Sequence, residues 1–211
     1  TRRQRTDVPI NALTANVLPL DWKQQSAIGE ALRGQHGRQL VDRATRQAGI
    51  RELVGIPLYL RAILALPDGS SFPSTKEALL GQFASQHERN LDNADALMEV
   101  LQTAADPYLR ALAHRMTRER MSVIGEPECR AIVSSVAREL RDLGQIASSP
   151  EPRSVLDVLV DHHLLIRSEG STGYAFQHQQ FQEWYASFSV SEAIIAAQGS
   201  NEARHSLQFE F

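Results

Sequence analysis

The stretch that decides the fold runs from Leu164-Leu165-Ile166-Arg167-Ser168 through Glu169-Gly170-Ser171-Thr172-Gly173 to Tyr174-Ala175-Phe176-Gln177-His178-Gln179-Gln180-Phe181-Gln182-Glu183-Trp184-Tyr185-Ala186. The first piece is extended and apolar. The second is a Gly/Ser turn. Tyr174-Ala175-Phe176 then alternates again, so the pattern predicts a β-hairpin. At Gln179 the period changes from two to the helical one. Phe181, Trp184, Tyr185 and Phe188 fall on one stripe, which predicts a helix whose aromatic face is core.

Working backward from the hairpin, the punctuation is helical throughout. A helix is expected at 153–163. Another follows Glu126, with Ile132, Val136, Leu140 and Leu143 at helical spacing and Gly144 as its end signal. A long helical pattern runs over 94–118, and Pro107 kinks or splits it. Three helices, a hairpin and a return helix make the plan of a winged helix. Nearer the amino end, Ser74 or Thr75 caps a helix over 76–90, and Pro57 opens a buried helix over 58–66. Asp21 caps a helix over 22–34 that Gly34 stops, and a second helix follows over 37–51 with Arg38, Arg43, Arg46 and Arg51 outward. The expected fold class is mainly α: a small helical bundle followed by a winged-helix domain with one β-hairpin. The expected domains are a connector over 1–20, a helical domain over 21–92, the winged helix over 93–198 and a tail over 199–211.

The composition suits a folded chain. Of 211 residues, 42% are hydrophobic and 22% charged, too apolar a balance for a disordered segment. The net charge of −3 provides no global basic field for nucleic acid. One cysteine, Cys129, excludes an internal disulfide. The most apolar stretch, 53–66, is too short to span a bilayer and contains Arg61. The opening Thr1-Arg2-Arg3-Gln4-Arg5 does not read as a secretory leader, and the expected location is cytoplasmic. The only lysines are Lys23 and Lys76, and neither follows a glycine. A Gly-Lys-Ser/Thr phosphate loop is therefore absent from these residues.

Two segments together resemble the NACHT family of STAND nucleoside triphosphatases. Leu53-Val54-Gly55-Ile56-Pro57-Leu58-Tyr59-Leu60 is similar to that family's Gly-x-Pro segment. Tyr174 to Ala186 is similar to its winged-helix signature, Phe-x-His-x-x-Phe-Gln-Glu followed by two aromatics and Ala. More weakly, Thr1-Arg2-Arg3 resembles the Thr-x-Arg that ends the sensor strand, and Val17-Leu18-Pro19-Leu20 the apolar segment after it. The Walker loop, its acidic strand and their parallel sheet are missing. The resemblance thus implies a carboxy-terminal part of the module: a regulatory lid and hinge, without catalysis of its own, partnered by an upstream NTPase core. It implies ADP or ATP as cofactor, with Mg supplied by that core and none bound by the isolated chain, and a homo-oligomer on activation. It implies that His178 donates to the β-phosphate of ADP. Pro57 would form an apolar wall beside the base or ribose, Gly55 would let the backbone come close, and Arg3 would read the terminal phosphate.

Other readings are open. A winged-helix DNA-binding regulator would read the groove with 153–163, but that helix offers one arginine against two aspartates. A plain helical interaction domain makes the motif matches coincidence. Metal chemistry finds no support: adjacent His162 and His163 point about 100° apart on a helix, and carboxylate or cysteine partners at zinc spacing are missing. Cys129 reads as an inert thiol on a helix face. Gln182 and Glu183 are expected to make local hydrogen bonds.

Overall fold

The computed structural model describes residues 18–89, 91–161, 164–168 and 172–198. The chain divides by its contacts into two compact units, one ending at Lys76 and the other beginning at Glu77. The sequence reading puts the domain boundary at 92/93; the contact division falls earlier, at the first residue of the helix that begins at Lys76.

In the first unit, Asp21 starts helix α1 (Trp22–Arg46) with a capping box. Its carboxylate accepts the Gln24 N–H at 2.9 Å, and the Gln24 side chain accepts the Asp21 N–H at 2.9 Å. The break expected at Gly34 is present. Arg33 (φ −139°) and Gly34 (φ 57°, ψ −145°) leave helical geometry, and Gly34 takes the left-handed φ that a residue without Cβ adopts freely. Helix resumes at once and ends at Arg46 rather than at 51, where Gln47 turns extended. The two halves meet backbone to backbone: a Cβ on Gly37 would lie 2.0 Å from the Gly29 carbonyl oxygen.

Helix α2 (Pro57–Leu64) carries its proline in the first turn, as expected, and packs on α1. Six of its eight residues are buried: Leu58, Tyr59, Leu60, Ala62, Ile63 and Leu64. Arg33 closes its far end, donating to the carbonyls of Leu64 (3.1 Å) and Leu66 (2.7 Å) and pairing with Asp68 at 2.5 Å. A guanidinium thereby satisfies carbonyls that a helix C-terminus leaves open.

In the second unit the order is α3 (Lys76–Arg89), α4 (Leu91–Leu101), α5 (Asp106–Arg118), β1 (Ile124–Gly125), α6 (Glu126–Asp142), α7 (Pro152–Asp161), β2 (Leu165–Arg167), β3 (Gly173–Phe176) and α8 (Gln179–Gln198). The three strands form an antiparallel sheet in the order β1-β3-β2. From α5 to β3 this is the winged-helix arrangement, and the hairpin pairs Leu165 with Phe176, Ile166 with Ala175 and Arg167 with Tyr174. The expected long helix over 94–118 is two helices; Pro107 lies in the first turn of α5, and Gln102 (φ 56°) lies in the break.

Two readings need correction. β1 was not expected, because two residues carry no alternation to see. It exists because Gly173 lets the Ile124 strand approach: a Cβ there would lie 2.7 Å from the Ile124 carbonyl oxygen. The buried stripe of α6 is Cys129, Val133, Ala137 and Leu140. Ile132 and Val136 are only half-buried and Leu143 is exposed, so the core face sits beside the expected one. Small Cys129 and Ala137 face the packed side, and size-blind counting of large apolar residues passes over them.

The core of this unit lies under α8. Phe181 and Tyr185 are fully buried. Phe181 stacks on Phe83 of α3 at 5.7 Å, and Tyr185 meets Phe176 of β3 at 6.1 Å. Trp184 and Phe188, on the same stripe, are half-buried and meet edge to face at 5.1 Å. Phe181 and Tyr185 are core, as the spacing predicts, while Trp184 and Phe188 stand at its edge.

Candidate functional site

His178 and Gln177 form the two-residue link between β3 and α8. The Gln177 N–H donates to the Leu164 carbonyl at 3.2 Å and closes the end of the sheet. The His178 carbonyl accepts the Phe181 N–H at 3.0 Å, which begins the helix. Because Phe181 is locked into the core, the register of α8 is fixed and the His178 position with it. The His178 ring lies 6.4 Å from the Phe181 ring, and the residue is exposed. The first turn of α8 carries no acidic residue.

Gly55 and Pro57 sit together at the start of α2. Gly55 is buried, while Ile56 is 41% exposed and Pro57 is exposed. The close approach that Gly55 permits is made by the chain itself. The Leu20 N–H donates to the Gly55 carbonyl at 2.7 Å, and a Cβ on Gly55 would lie 3.0 Å from the Pro19 Cβ. The first turn of α2 has no acid, and Ile56 offers no side-chain cap. Its amides are left to other acceptors.

This absence of acid sets the two starts apart. The first turns of α3, α5 and α6 hold Glu77, Asp106, and Glu126 with Glu128. Helix α1 is capped by Asp21, and the Glu151 carboxylate accepts the Ser154 N–H at 2.7 Å in the first turn of α7. That bond holds the Glu151 carboxyl below its ordinary range. No acidic residue stands in the first turn of α2 or α8, where the positive helix end favours an anion. His178 belongs to the second unit and Gly55 and Pro57 to the first. Arg3, His162 and His163 lie outside the described residues.

Sequence reasoning misread one residue near this site. Gln182 makes no local bond. It is buried, and its amide donates to the Thr117 hydroxyl at 3.3 Å and the Met121 carbonyl at 3.1 Å, tying α8 to the end of α5. Only Glu183 bonds locally, accepting from Gln179 at 3.0 Å. No periodicity marks a glutamine that turns inward, so the signal was absent.

Elsewhere the chemistry is muted. Cys129 is fully buried, and desolvation pushes its thiol up to about 12. An open cleft of ≈ 400 Å³ is lined by Glu126, Pro127, Arg130 and Thr172. Arg130 there pairs with Glu151 at 3.7 Å. On the face that would read a DNA groove, Arg167 of β2 pairs with Asp157 of α7. Among the described residues, no group of three or more His, Cys, Asp or Glu could hold a metal ion. Among them too, no helix is long and apolar enough to cross a membrane. No protein-family model matches the chain, and no curated protein matches it.

Proposed function

We propose that these residues are the helical and winged-helix part of a NACHT-like signalling NTPase, acting as a regulatory lid over bound nucleotide. The observation that carries the reading is His178. It stands exposed at the start of a helix whose register is fixed by buried aromatics and whose first turn is free of acid. An imidazole N–H and the helix N-terminus there supply two kinds of donor to one phosphate.

The roles divide between the units. His178 would hold the β-phosphate of ADP. Exposed Ile56 and Pro57 would supply an apolar wall for the base or ribose. The bound nucleotide supplies the charge that these groups recognise. Hydrolysis belongs to a phosphate-loop core, and these residues contain no Gly-Lys-Ser/Thr for one. A lid that contacts ADP better than ATP shifts the closed-to-open balance only by that difference in affinity. Gly55 has a dual reading here: its carbonyl already holds Leu20, so it serves the nucleotide by placing Pro57 rather than by touching phosphate.

The test uses the intact protein carrying the core. His178→Ala is expected to speed ADP release roughly tenfold or more, the scale of one hydrogen bond to a charged group. An unchanged release rate, with unchanged basal activity, would remove the reading. The DNA-binding alternative is disfavoured by the Asp157–Arg167 pair, which occupies the basic group of the wing strand.

A further inference from the structure

The amino half of α1 is tied to both ends of α2. At one end the Leu20 N–H donates to the Gly55 carbonyl at 2.7 Å, just before α2 begins, and the Gln25 amide donates to the Leu20 carbonyl at 2.6 Å. At the other end Arg33 donates to the carbonyls of Leu64 (3.1 Å) and Leu66 (2.7 Å), where α2 stops, and pairs with Asp68 at 2.5 Å. His36, just past the break at Gly34, meets the same carboxylate at 3.0 Å. A tight turn presents Asp68: the Ser70 N–H donates to the Pro67 carbonyl at 3.2 Å, and Gly69 takes φ 78°. As helix, residues 22–32 span about 16 Å and α2 about 12 Å, so the one segment reaches from the root of α2 to its end.

Between these ties the amino half has little core. Its buried residues are Gln25, Ser26 and Gly29. Trp22 and Leu32 are exposed, as is Leu18 ahead of the helix. The buried Ser26 hydroxyl has no hydrogen-bond partner among the described residues, which weakens the seat further. The carboxy half is different: it buries Leu40, Val41 and Ala44. Buried apolar area raises the free energy of local opening, so the two halves of one helix differ in their resistance to it.

We propose that residues 20–33 are a strap along α2 that opens as a unit while the carboxy half of α1 stays folded, with the Arg33–Asp68 pair as its catch. Closing sets one planar guanidinium against three acceptors, two of them carbonyls at a helix end. Opening gives up those bonds, the Leu20–Gly55 bond and the backbone contact of Gly29 with Gly37, and it takes no fully buried large apolar side chain of the strap out of the core. Gly34, left-handed and with nothing within 4 Å of the place a Cβ would take, is the swivel. Release of the strap frees both ends of α2 together, including the start that carries Pro57, and it does not depend on the nucleotide reading.

Native-state hydrogen exchange on the full chain, followed through low urea concentrations, tests this. The amides of 25–32 should open at least roughly tenfold more often than those of 40–46, and with a weaker dependence on urea, because little surface is uncovered. Arg33→Ala should raise the opening of 25–32 by about another tenfold, as the loss of a charged donor does, and leave 40–46 unchanged. Asp68→Asn, which keeps the two carbonyl bonds, should raise it several-fold. A single opening shared by both halves of α1 in the unmodified chain overturns the proposal. So does a variant that speeds both halves alike, or neither. Should Arg33→Ala not fold, the unmodified chain and Asp68→Asn decide.

Discussion

Gly37 and Gly34 lie three residues apart in α1 and are required for different reasons. At Gly37 the obstacle is space: the atom a Cβ would meet, 2.0 Å away, is backbone and cannot swing aside. At Gly34 nothing lies within 4 Å, and the cost is the left-handed φ alone. Gly34→Ala should therefore destabilise by about 1 kcal/mol, and Gly37→Ala by about 3 kcal/mol. Urea midpoints of the two variants check the order. Cys129 gives a second residue-level expectation. With its thiol pushed up to about 12 against an ordinary 9.0, it stays neutral in the folded chain. A thiol reagent at pH 8 should leave it untouched until denaturant is added. Because the folded value is raised, the stability tied to this thiol is full below pH 9 and is lost as pH rises toward 12. The break at Gly34 announces itself in sequence, since Gly interrupts a helical pattern there, whereas the close approach at Gly37 leaves no such sign. The inward turns of Cys129, Ala137 and Gln182 do not, because small or polar residues are scored as surface by any count of large apolar side chains.

Elements were easier to see than their ends. Pro57 fixes a helix start by removing an N–H that would go unpaired, so that start was legible, whereas Pro107 marked only a kink or a split and stands in the first turn of α5. The break before α5 was legible as a break but not as a structure. There Gln102 adopts φ 56° and its side chain reaches 147–148: its oxygen accepts the Ala147 N–H at 2.9 Å, and its amide donates to the Ser148 hydroxyl at 3.2 Å. Gln102→Ala loses the bonds and keeps the strain, at about 1–2 kcal/mol. Gln102→Gly loses the same bonds and relieves the strain, so it should cost less than alanine does. Arg120 is the converse. It follows α5 with φ 56° and is exposed, so Arg120→Gly should stabilise by roughly 0.5–1 kcal/mol. Thermal melts of the three proteins rank these effects. The strand β1 stayed invisible because a two-residue strand is defined by its partner: only Gly173, opposite, makes room for it.

At the scale of the molecule, each unit owns a core. Val41, Ala44, Ile50, Val54 and Ile63 are fully buried in the first, and Leu109, Val133, Leu156 and Phe181 in the second. Calorimetry should accordingly show a measured enthalpy larger than the van't Hoff value, the mark of more than one cooperative transition. Pro57 belongs to the first unit and His178 to the second. The sequence reading already divided them, with Pro57 in the helical domain over 21–92 and His178 in the winged helix over 93–198, because turn and cap signals separate the two helical runs. The backbone bond from Leu20 to Gly55 has a mechanical corollary. Leu20 is also held by the Gln25 amide, which donates to its carbonyl at 2.6 Å. A pull on the polypeptide from ahead of Leu18 would be shared between the root of α2, beside Pro57, through Gly55, and the first turn of α1, through Gln25, before it strained the packed interior. The chain is rigged like a rope made fast at two cleats, and whatever tugs the line is felt first at those two helix starts.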